Sequence, residues 1–496
     1  MPEREVKLRP LPGFRLPPLH GVAEGLAARP DEILDLSAVY WDTPDLRLAR
    51  SGASLRHRDP DRWTVKLPAT SDGPLLSRAE LTVPGDAGDP PAFAVDLVRA
   101  WVRTSRLVPV ARLKTRRRRV ELRDATGKDA AEVVDDEVTV LHDGHITARF
   151  REVEVELAAG TADAVADALV SRLRAAGTGE PDPTPKIVRA LGWRATQPPD
   201  VVVPTDLGPG SSAREVVRAA VATSVAHLLA HDAGARLGDD PEMVHQARVA
   251  SRRLRSDLRT FRLLLEPEWD EALRCELAWL GSELGKVRDT EVLLELLRVK
   301  AAALTAAERT AFEHLLERLV ARWQTARIEL LVALRSGRYA ALLDRLVAAA
   351  NEPALLPVAD APATAVLPAL VRTPWKHLRR DVEALSAEPP DAALHAIRIR
   401  AKRLRYASEA VAPAFGKRSR DLAKAAAALQ TVLGDHQDAV IAIAWLRDAA
   451  RTAQTRSEAF VAGMVAGMVR VDERATRAVW PDAWARVNHK RLRSWL

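Results

Sequence analysis

The period of hydrophobic alternation changes near residue 200, and this change limits the chain to two parts of different class. Before it, EREVKL, RWTVKLP, SRAELTV, AAEVVDD and REVEVEL alternate polar and apolar residues with a period of two, as half-buried strands do. Turn residues separate them, as in SDG at 71–73, PGDAGDPP at 84–91, ATGK at 125–128 and HDG at 142–144. One helix is expected at 161–176, with Thr161 as its N-cap. QPPDVVVPTDLGPGSS, 197–212, is rich in Pro and Gly and poor in charge, as an interdomain linker is. After it, stretches such as SAREVVRAAVATSVAHLLAH place apolar residues at i, i+3, i+4 and i+7 and predict amphipathic helices. The expected organisation is a β domain over 1–196, a linker over 197–211 and an all-helical domain over 212–496.

The helical part repeats itself. HQARVASRRLR at 245–255 matches HAIRIRAKRLR at 395–405, and ELGKVRD at 283–289 matches VLGDHQD at 432–438. Two blocks that keep their order and spacing predict an internal duplication, about 212–350 and 363–496, folded as two pseudo-symmetric helical bundles. At 100° per residue, His245, Arg248, Arg252, Arg255 and Arg259 share one broad helix face. His395, Arg398, Lys402 and Arg405 repeat it, while Val249, Leu254, Ile399 and Leu404 are expected to anchor the helices in their bundles. Like charges at this density disfavour an empty face, and a polyanion relieves them. Arginine also grips phosphate with two parallel hydrogen bonds. Readers of nucleic acid add aromatics for base stacking, but Tyr406 is nearly alone here, which argues for a ligand that is phosphate throughout. A 15-residue face runs roughly 22 Å at ~1.5 Å per residue, longer than a triphosphate.

The remaining composition agrees. Lys and Arg exceed Asp and Glu by 7, and the pI is about 9.7, a balance suited to polyanionic partners. A single cysteine, Cys275, permits no internal disulfide and fits a reducing compartment. MPEREVKLRPLPGFRLP lacks the apolar core of a secretory signal, and no run of 18 apolar residues predicts a membrane span. A cytoplasmic location is expected, with no membrane partner.

The strands carry charge in an unusual place. EREVKL puts Glu3, Glu5 and Lys7 on one face; REVEVEL puts Glu152, Glu154 and Glu156 on one face. SLRHR contributes Arg56 and Arg58, WTVKLP contributes Lys66, SRAEL contributes Arg78 and Glu80, and RLKTRRRRVEL packs Lys114 and Arg116 to Arg119 into one strand. Charge opposite an apolar face suggests a barrel packed by its outside and charged within. Alternate carboxylates can hold a hard cation, Mg²⁺ or Mn²⁺, through oxygen, and facing Lys and Arg can grip phosphate.

These patterns resemble two known families. Glu3-x-Glu5-x-Lys7, YWDTPDLRLARSGASLRHR at 40–58, WTVKLP at 63–68, VVDDEV, EVEVEL and PKIVRALG at 185–192 follow the order of the CYTH family, the triphosphate tunnel metalloenzymes. That resemblance, over about 1–196, implies an eight-stranded antiparallel barrel enclosing a tunnel and metal-dependent hydrolysis of a triphosphate, foremost inorganic triphosphate. It implies a metal face of Glu3, Glu5, Asp135, Glu152, Glu154 and Glu156, with Asp136 the rival of Asp135. It implies a phosphate grip of Arg56, Arg58, Lys66, Lys114, Arg116, Arg118 and Lys186, taking the even positions of the basic strand, with Lys7 assisting the leaving phosphate or the attacking water. The family also includes adenylate cyclases and thiamine triphosphatases, and a tunnel that only binds would serve a polyphosphate scaffold.

The duplicated H-x-x-R-x-x-x-[KR]-R-x-R blocks, each followed by L-G-x-x-x-D, resemble the CHAD domain, the conserved histidine α-helical domain. That resemblance, over about 212–496, implies binding of long-chain inorganic polyphosphate, with the enzyme recruited to polyphosphate granules. The residues carried over are His245, Arg248, Arg252, Arg253, Arg255, His395, Arg398, Lys402, Arg403 and Arg405. Lys286, Arg288 and His436 are secondary, and Asp289 and Asp438 are expected to orient the cations. His436 and Gln437 stand where the first half has Val287 and Arg288, so the halves are expected to differ in affinity.

Overall fold

Period-two alternation builds a strongly curled antiparallel sheet in the first part of the chain. The computed structural model describes every residue except 1, 2, 69, 73, 74 and 143; the side chains of 3, 70–72, 75 and 78 are likewise outside the described set. The chain separates into two compact units, 1–200 and 201–496.

The first unit contains β1 (Glu3–Pro10), β2 (Ala27–Ala28), β3 (Glu32–Asp42), β4 (Ser54–Arg58), β5 (Arg62–Lys66) and β6 (Thr70–Asp72). It continues with β7 (Leu75–Arg78), β8 (Glu80–Pro84), β9 (Val108–Arg123), β10 (Asp129–His142), β11 (His145–Leu157) and β12 (Thr178–Pro181). Short helices α1 (Arg47–Arg50), α2 (Ala92–Leu97), α3 (Arg99–Val102) and α5 (Lys186–Leu191) accompany one longer helix, α4 (Asp163–Ala175). The strand order is β6-β7-β1-β11-β10-β9-β3-β4-β5-β8, with β12 on β1 and β2 on β9. The eight strands of five residues or more are contiguous in that order, β1 to β8. The sheet curls because segment 75–84 changes partner at Ala79: β7 pairs β1 (Glu5↔Leu76), whereas β8 pairs β5 (Lys66↔Glu80).

Alternation sorts the faces. Val6, Leu8, Val120, Leu122, Val133, Val153 and Val155 point outward and are buried under Ala166, Leu169 and Leu173 of α4. Seven such side chains, at about 1.5–3 kcal/mol each when fully buried, hold the outer face. Helix α4 is capped one residue later than expected: Ala162 is its N-cap, and Thr161 instead donates from Oγ1 to the Ala130 carbonyl at 2.8 Å. At one end of the inner face, Tyr40, Ala111, Leu113, Val138 and Val140 pack against Ile187 and Val188 of α5. The rest of the inner face is charged.

The second unit is helical: α6 (Ala213–Leu237), α7 (Pro241–Phe261), α8 (Pro267–Ala301), α9 (Ala306–Arg335), α10 (Gly337–Asn351), α11 (Ala363–Glu383), α12 (Asp391–Phe415), α13 (Lys417–Arg451) and α14 (Arg456–Val487). Capping boxes start α6 (Ser212, Glu215) and α9 (Thr305, Glu308), each satisfying orphan amides of the first turn. Helices α6–α9 correspond to α11–α14. The two halves exchange reciprocal backbone bonds: Ala213 N donates to Ala361 O and Ala363 N to Ser211 O, both at 2.9 Å. Residues 150 apart thus make the same bond in each direction, as a pseudo-twofold axis requires. No helix among the described residues is long and apolar enough to cross a membrane.

Candidate active site and anion groove

Register decides which charges meet inside the sheet. Lys7 lies opposite Glu154, Glu5 opposite Glu156, and Asp136 opposite both Glu152 and Arg117. Tyr40 lies opposite Arg56, and Lys66 opposite Glu80. The inner carboxylates Glu5, Asp136, Glu152, Glu154 and Glu156 therefore sit on the neighbouring strands β1, β11 and β10. The inner cations Arg117, Arg56, Arg58 and Lys66 follow on β9, β4 and β5. One cavity is lined by Lys7, Arg56, Arg58, Lys66, Glu80, Arg117, Glu154, Glu156 and Lys186.

Ion pairs join the two sets. Lys7 Nζ pairs with Glu154 and lies 3.1 Å from Glu5. Lys186 Nζ, at the first position of α5, is 2.6 Å from Asp136 and 2.9 Å from Glu152. Arg117 donates from Nε and Nη2 to Asp136 at 2.9 and 2.8 Å and lies 3.5 Å from Glu154. Arg56 Nη1 donates to the Tyr40 hydroxyl at 3.2 Å, and Lys66 pairs with Glu80 at 2.6 Å.

The electrostatics follow from this packing. Burial works against the Lys7 ammonium, but Glu154, Glu5 and Glu152 hold its pKa above the ordinary lysine value. Burial likewise opposes Lys186, and Glu154, Glu152 and Asp136 hold it up. Burial pushes Glu154 upward, yet Lys186, Lys7 and Arg117 hold it well below the usual carboxylate range. Glu152 moves the other way: burial raises it more than Lys186 lowers it. Arg58 is pulled down to about 10 by Arg56, by burial and by Arg117, the mark of cations crowded without enough counter-charge. Two groups of carboxylates, Glu5 with Glu154 and Glu156, and Asp136 with Glu152 and Glu154, could each offer oxygens to one cation.

Several expected site residues stand elsewhere. Lys114, Arg116 and Arg118 are exposed on the outer face of β9, and Arg117 takes the inner place. The reason is parity: Val120 and Leu122 must face α4, so even positions of β9 point outward. The same rule turns Asp135 outward with Val133, where Arg151 binds it through two bonds of 2.7 and 2.6 Å, and it brings Asp136 inward. Glu3 is in β1, but its side chain lies outside the described residues. Glu80 of SRAEL also lines the cavity, whereas Tyr40 and Arg189, the last 3.5 Å from Glu152, were not anticipated. Arg189 could have been read from PKIVRALG, one helical turn after Lys186.

In the second unit a groove is lined by His245, Arg248, Arg252 and Arg288 from the first half and Arg398, Arg405, Tyr406 and Asp438 from the second. Arg248 pairs with Asp289 at 2.6 Å. The guanidiniums of Arg248 and Arg398 lie against Gly285 and Gly434: a Cβ there would stand 3.6 and 3.5 Å from their atoms. A Cβ at either glycine of the L-G-x-x-x-D blocks would therefore meet an arginine at ordinary van der Waals distance, which places both guanidiniums directly over the facing helix. Glu409 joins the halves, pairing with Arg253 of α7 and, at 2.8 Å, with Arg405. Arg253, Lys402 and Arg405 surround the Tyr406 ring at 5.8, 5.7 and 5.5 Å from its centroid. Burial, then Arg403 and Arg255, lower the Arg259 guanidinium, so these three extend the cationic surface along the helices. His395 is partly buried, with no hydrogen-bond partner for Nδ1.

Three expectations are corrected here. His436 is buried away from the groove, between Asp391 (3.2 Å) and Glu473 (3.5 Å), because it occupies the core position that Val287 fills in the first half. Lys286 points outward to Glu283 and Glu329, at 2.9 and 3.0 Å. Ile399 is 40% exposed and anchors nothing, whereas Leu254 and Leu404 are fully buried.

Residues 1–188 match the CYTH domain family and residues 219–447 the CHAD domain family. A Mycobacterium tuberculosis relative, "Uncharacterized protein MT2285", is 35% identical over 473 residues, covering 89% of this chain and 87% of its own. Among solved structures, "PptA from Streptomyces chartreusis" is 27% identical at a TM-score of 0.47, covering 55% of this chain and 100% of that one. The CHAD domain from the plant Ricinus communis is 27% identical at a TM-score of 0.47, covering 58% and 95%. CYTH proteins act on triphosphates with the help of a metal, and the two families bind triphosphates or polyphosphate. With both domains present in this order, and a relative alike over most of both lengths, the chain belongs to the family that joins an N-terminal CYTH domain to a C-terminal CHAD domain.

Proposed function

We propose that the first unit hydrolyses inorganic triphosphate with Mg²⁺ or Mn²⁺, and that the second holds inorganic polyphosphate and so keeps the enzyme at polyphosphate deposits in the cytoplasm. The observation that carries the first part is the division of one inner face into an acidic half, β1-β11-β10, and a basic half on β9, β4 and β5. The oxygens of Glu5, Glu154 and Glu156 are the hard ligands that Mg²⁺ and Mn²⁺ prefer, so the residues fit such an ion. Bound there, the ion would neutralise charge on a phosphoryl oxygen and favour ionisation of water. Arg56, Arg58, Lys66 and Arg117 would orient the phosphate chain. Lys7, paired with Glu154 and Glu5, and Lys186, paired with Asp136 and Glu152, line the same cavity and would add their charge to the phosphate grip. Nine of the thirteen residues lining the cavity are charged, and the one aromatic among the described residues there, Tyr40, is bonded to Arg56. That leaves little for a nucleobase or a thiazolium ring to pack on and favours the inorganic substrate.

Phosphate release from tripolyphosphate, ATP and thiamine triphosphate, each with Mg²⁺ or Mn²⁺, tests the reading. Tripolyphosphate should turn over fastest, and Glu154→Gln should lower its rate by about 10²–10³. A folded protein that releases phosphate from none of the three would be a binding protein and not a hydrolase.

A further inference from the structure

The duplication places different cations at one equivalent position. Arg252 on α7 and Lys402 on α12 are 150 residues apart in matching blocks. Arginine keeps its charge at any physiological pH, whereas a crowded lysine need not. Lys402 is partly buried, 5.7 Å from the Tyr406 ring centroid, and among the described residues no carboxylate lies within 4.0 Å of its Nζ. The charged groups around it are mostly of its own sign. Helix α7 presents His245, Arg248, Arg252 and Arg255; α12 presents Arg398 and Arg405; α8 presents Arg288. The acids of the groove are engaged elsewhere. Asp289 of α8 pairs with Arg248, Glu409 of α12 with Arg253 and Arg405, and Asp435 and Asp438 of α13 face Arg398.

We propose that polyanion binding in this groove is proton-linked through Lys402, which is a neutral amine when no anion is present and takes one proton from solvent as a phosphate chain binds. The inference rests on the reading of the groove as a polyphosphate site and names how that site is regulated. Burial, followed by Arg252, Arg398, Arg255 and Arg248, pulls the Lys402 ammonium down to about 6. A phosphate chain supplies the negative charge that the cluster lacks and restores the ordinary preference for the ammonium. By linkage, affinity then falls as pH rises above about 6, approaching tenfold per pH unit, or about 50-fold between pH 6 and pH 8. The groove would hold polyphosphate tightly in mildly acidic surroundings and release it as they turn alkaline.

Calorimetric titration of the full chain with long-chain polyphosphate tests this, from pH 6 to pH 8, in two buffers of different ionisation heat. The interior phosphates of such a chain are strong acids, and Lys402→Arg fixes the charge while leaving the two histidines in place. At pH 7.5 the wild type should take up close to one proton more than Lys402→Arg and show the steeper loss of affinity with pH. Lys402→Met should also lose the linkage and bind more weakly than the wild type throughout, by a margin that narrows about 50-fold between pH 6 and pH 8. Equal proton uptake and equal pH slopes in wild type and Lys402→Arg would overturn the proposal. If the wild type binds no polyphosphate at any pH, the polyphosphate reading itself fails, and this inference with it.

Discussion

Replacing Arg117 with Met and, separately, Arg116 with Met tests which face of β9 meets the substrate. Arg117 spends two hydrogen bonds on Asp136 and reaches Glu154 at 3.5 Å. Stripping a buried charge of its only partner costs about 3–5 kcal/mol, but Asp136 keeps Lys186 at 2.6 Å, so about 2 kcal/mol is expected here. The kinetic cost should be larger. Loss of one preorganised cation at a phosphoryl site lowers turnover by about 10²–10³, or roughly 2.7–4 kcal/mol of transition-state stabilisation. Arg116 is exposed on the outer face, between Asp35 of β3 and Glu137 of β10. Its removal should change stability by about 0.5 kcal/mol or less and leave turnover intact. Initial rates of phosphate release from tripolyphosphate at saturating Mn²⁺, with a thermal melt of each variant, separate the two effects. Arg117→Lys should restore part of the rate, because the positive charge returns without the fork. If Arg116→Met loses as much rate as Arg117→Met, or if folded Arg117→Met is fully active, the inner-face assignment is wrong.

Two further outcomes are expected. Asp257 is fully buried, accepts from Ser224 at 3.3 Å, and burial pushes its carboxyl up to about 7 against the pull of Arg253. An acid whose pKa is raised by folding stabilises the fold most when protonated. Wild-type stability should therefore fall by up to about 1.4 kcal/mol per pH unit from pH 3.8 to pH 7 relative to Asp257→Asn and run parallel to it above pH 7; parallel denaturation curves from pH 4 to pH 8 would refute this. In the groove, Arg252→Ala with Arg398→Ala should weaken polyphosphate binding and make the slope of log affinity against log salt shallower by about two; an unchanged slope would place the bound chain elsewhere.

Period and spacing carried most of the architecture. The switch of alternation near residue 200, the two basic blocks and the glycine of each L-G-x-x-x-D are visible in one sequence because each is a local consequence of helix or strand geometry. The side of a strand was legible only where apolar residues marked the other side. EVEVEL sorts itself, since its valines must be covered. TRRRR and VVDD do not, because consecutive residues of one type leave parity open until α4 is placed over Val120, Leu122 and Val133. His436 misled for a related reason. The motif position is legible, but a heptad-like core site that holds valine in one half holds a histidine among Asp391, Glu473 and Arg477 in the other. Tyr40 reaches the cavity from β3 as the cross-strand neighbour of Arg56, and a neighbour of that kind is fixed by register, which no linear motif states.

The ordering of strands by length has a consequence for handling the protein. A sheet invites other chains where it ends, because a terminal strand presents unpaired amides and carbonyls. Here the three longest strands, β9, β10 and β11, lie in the middle of the strand order, with 16, 14 and 13 residues. The order terminates in β6, of three residues, and β8, of five residues with Pro84 at its end. The strands best able to template a fibril are thus shielded, and those left at the margins are too short to do so. Aggregation of this unit should require the partner exchange at Ala79 to come undone, so resistance to fibril growth should track the integrity of segment 75–84 rather than overall stability.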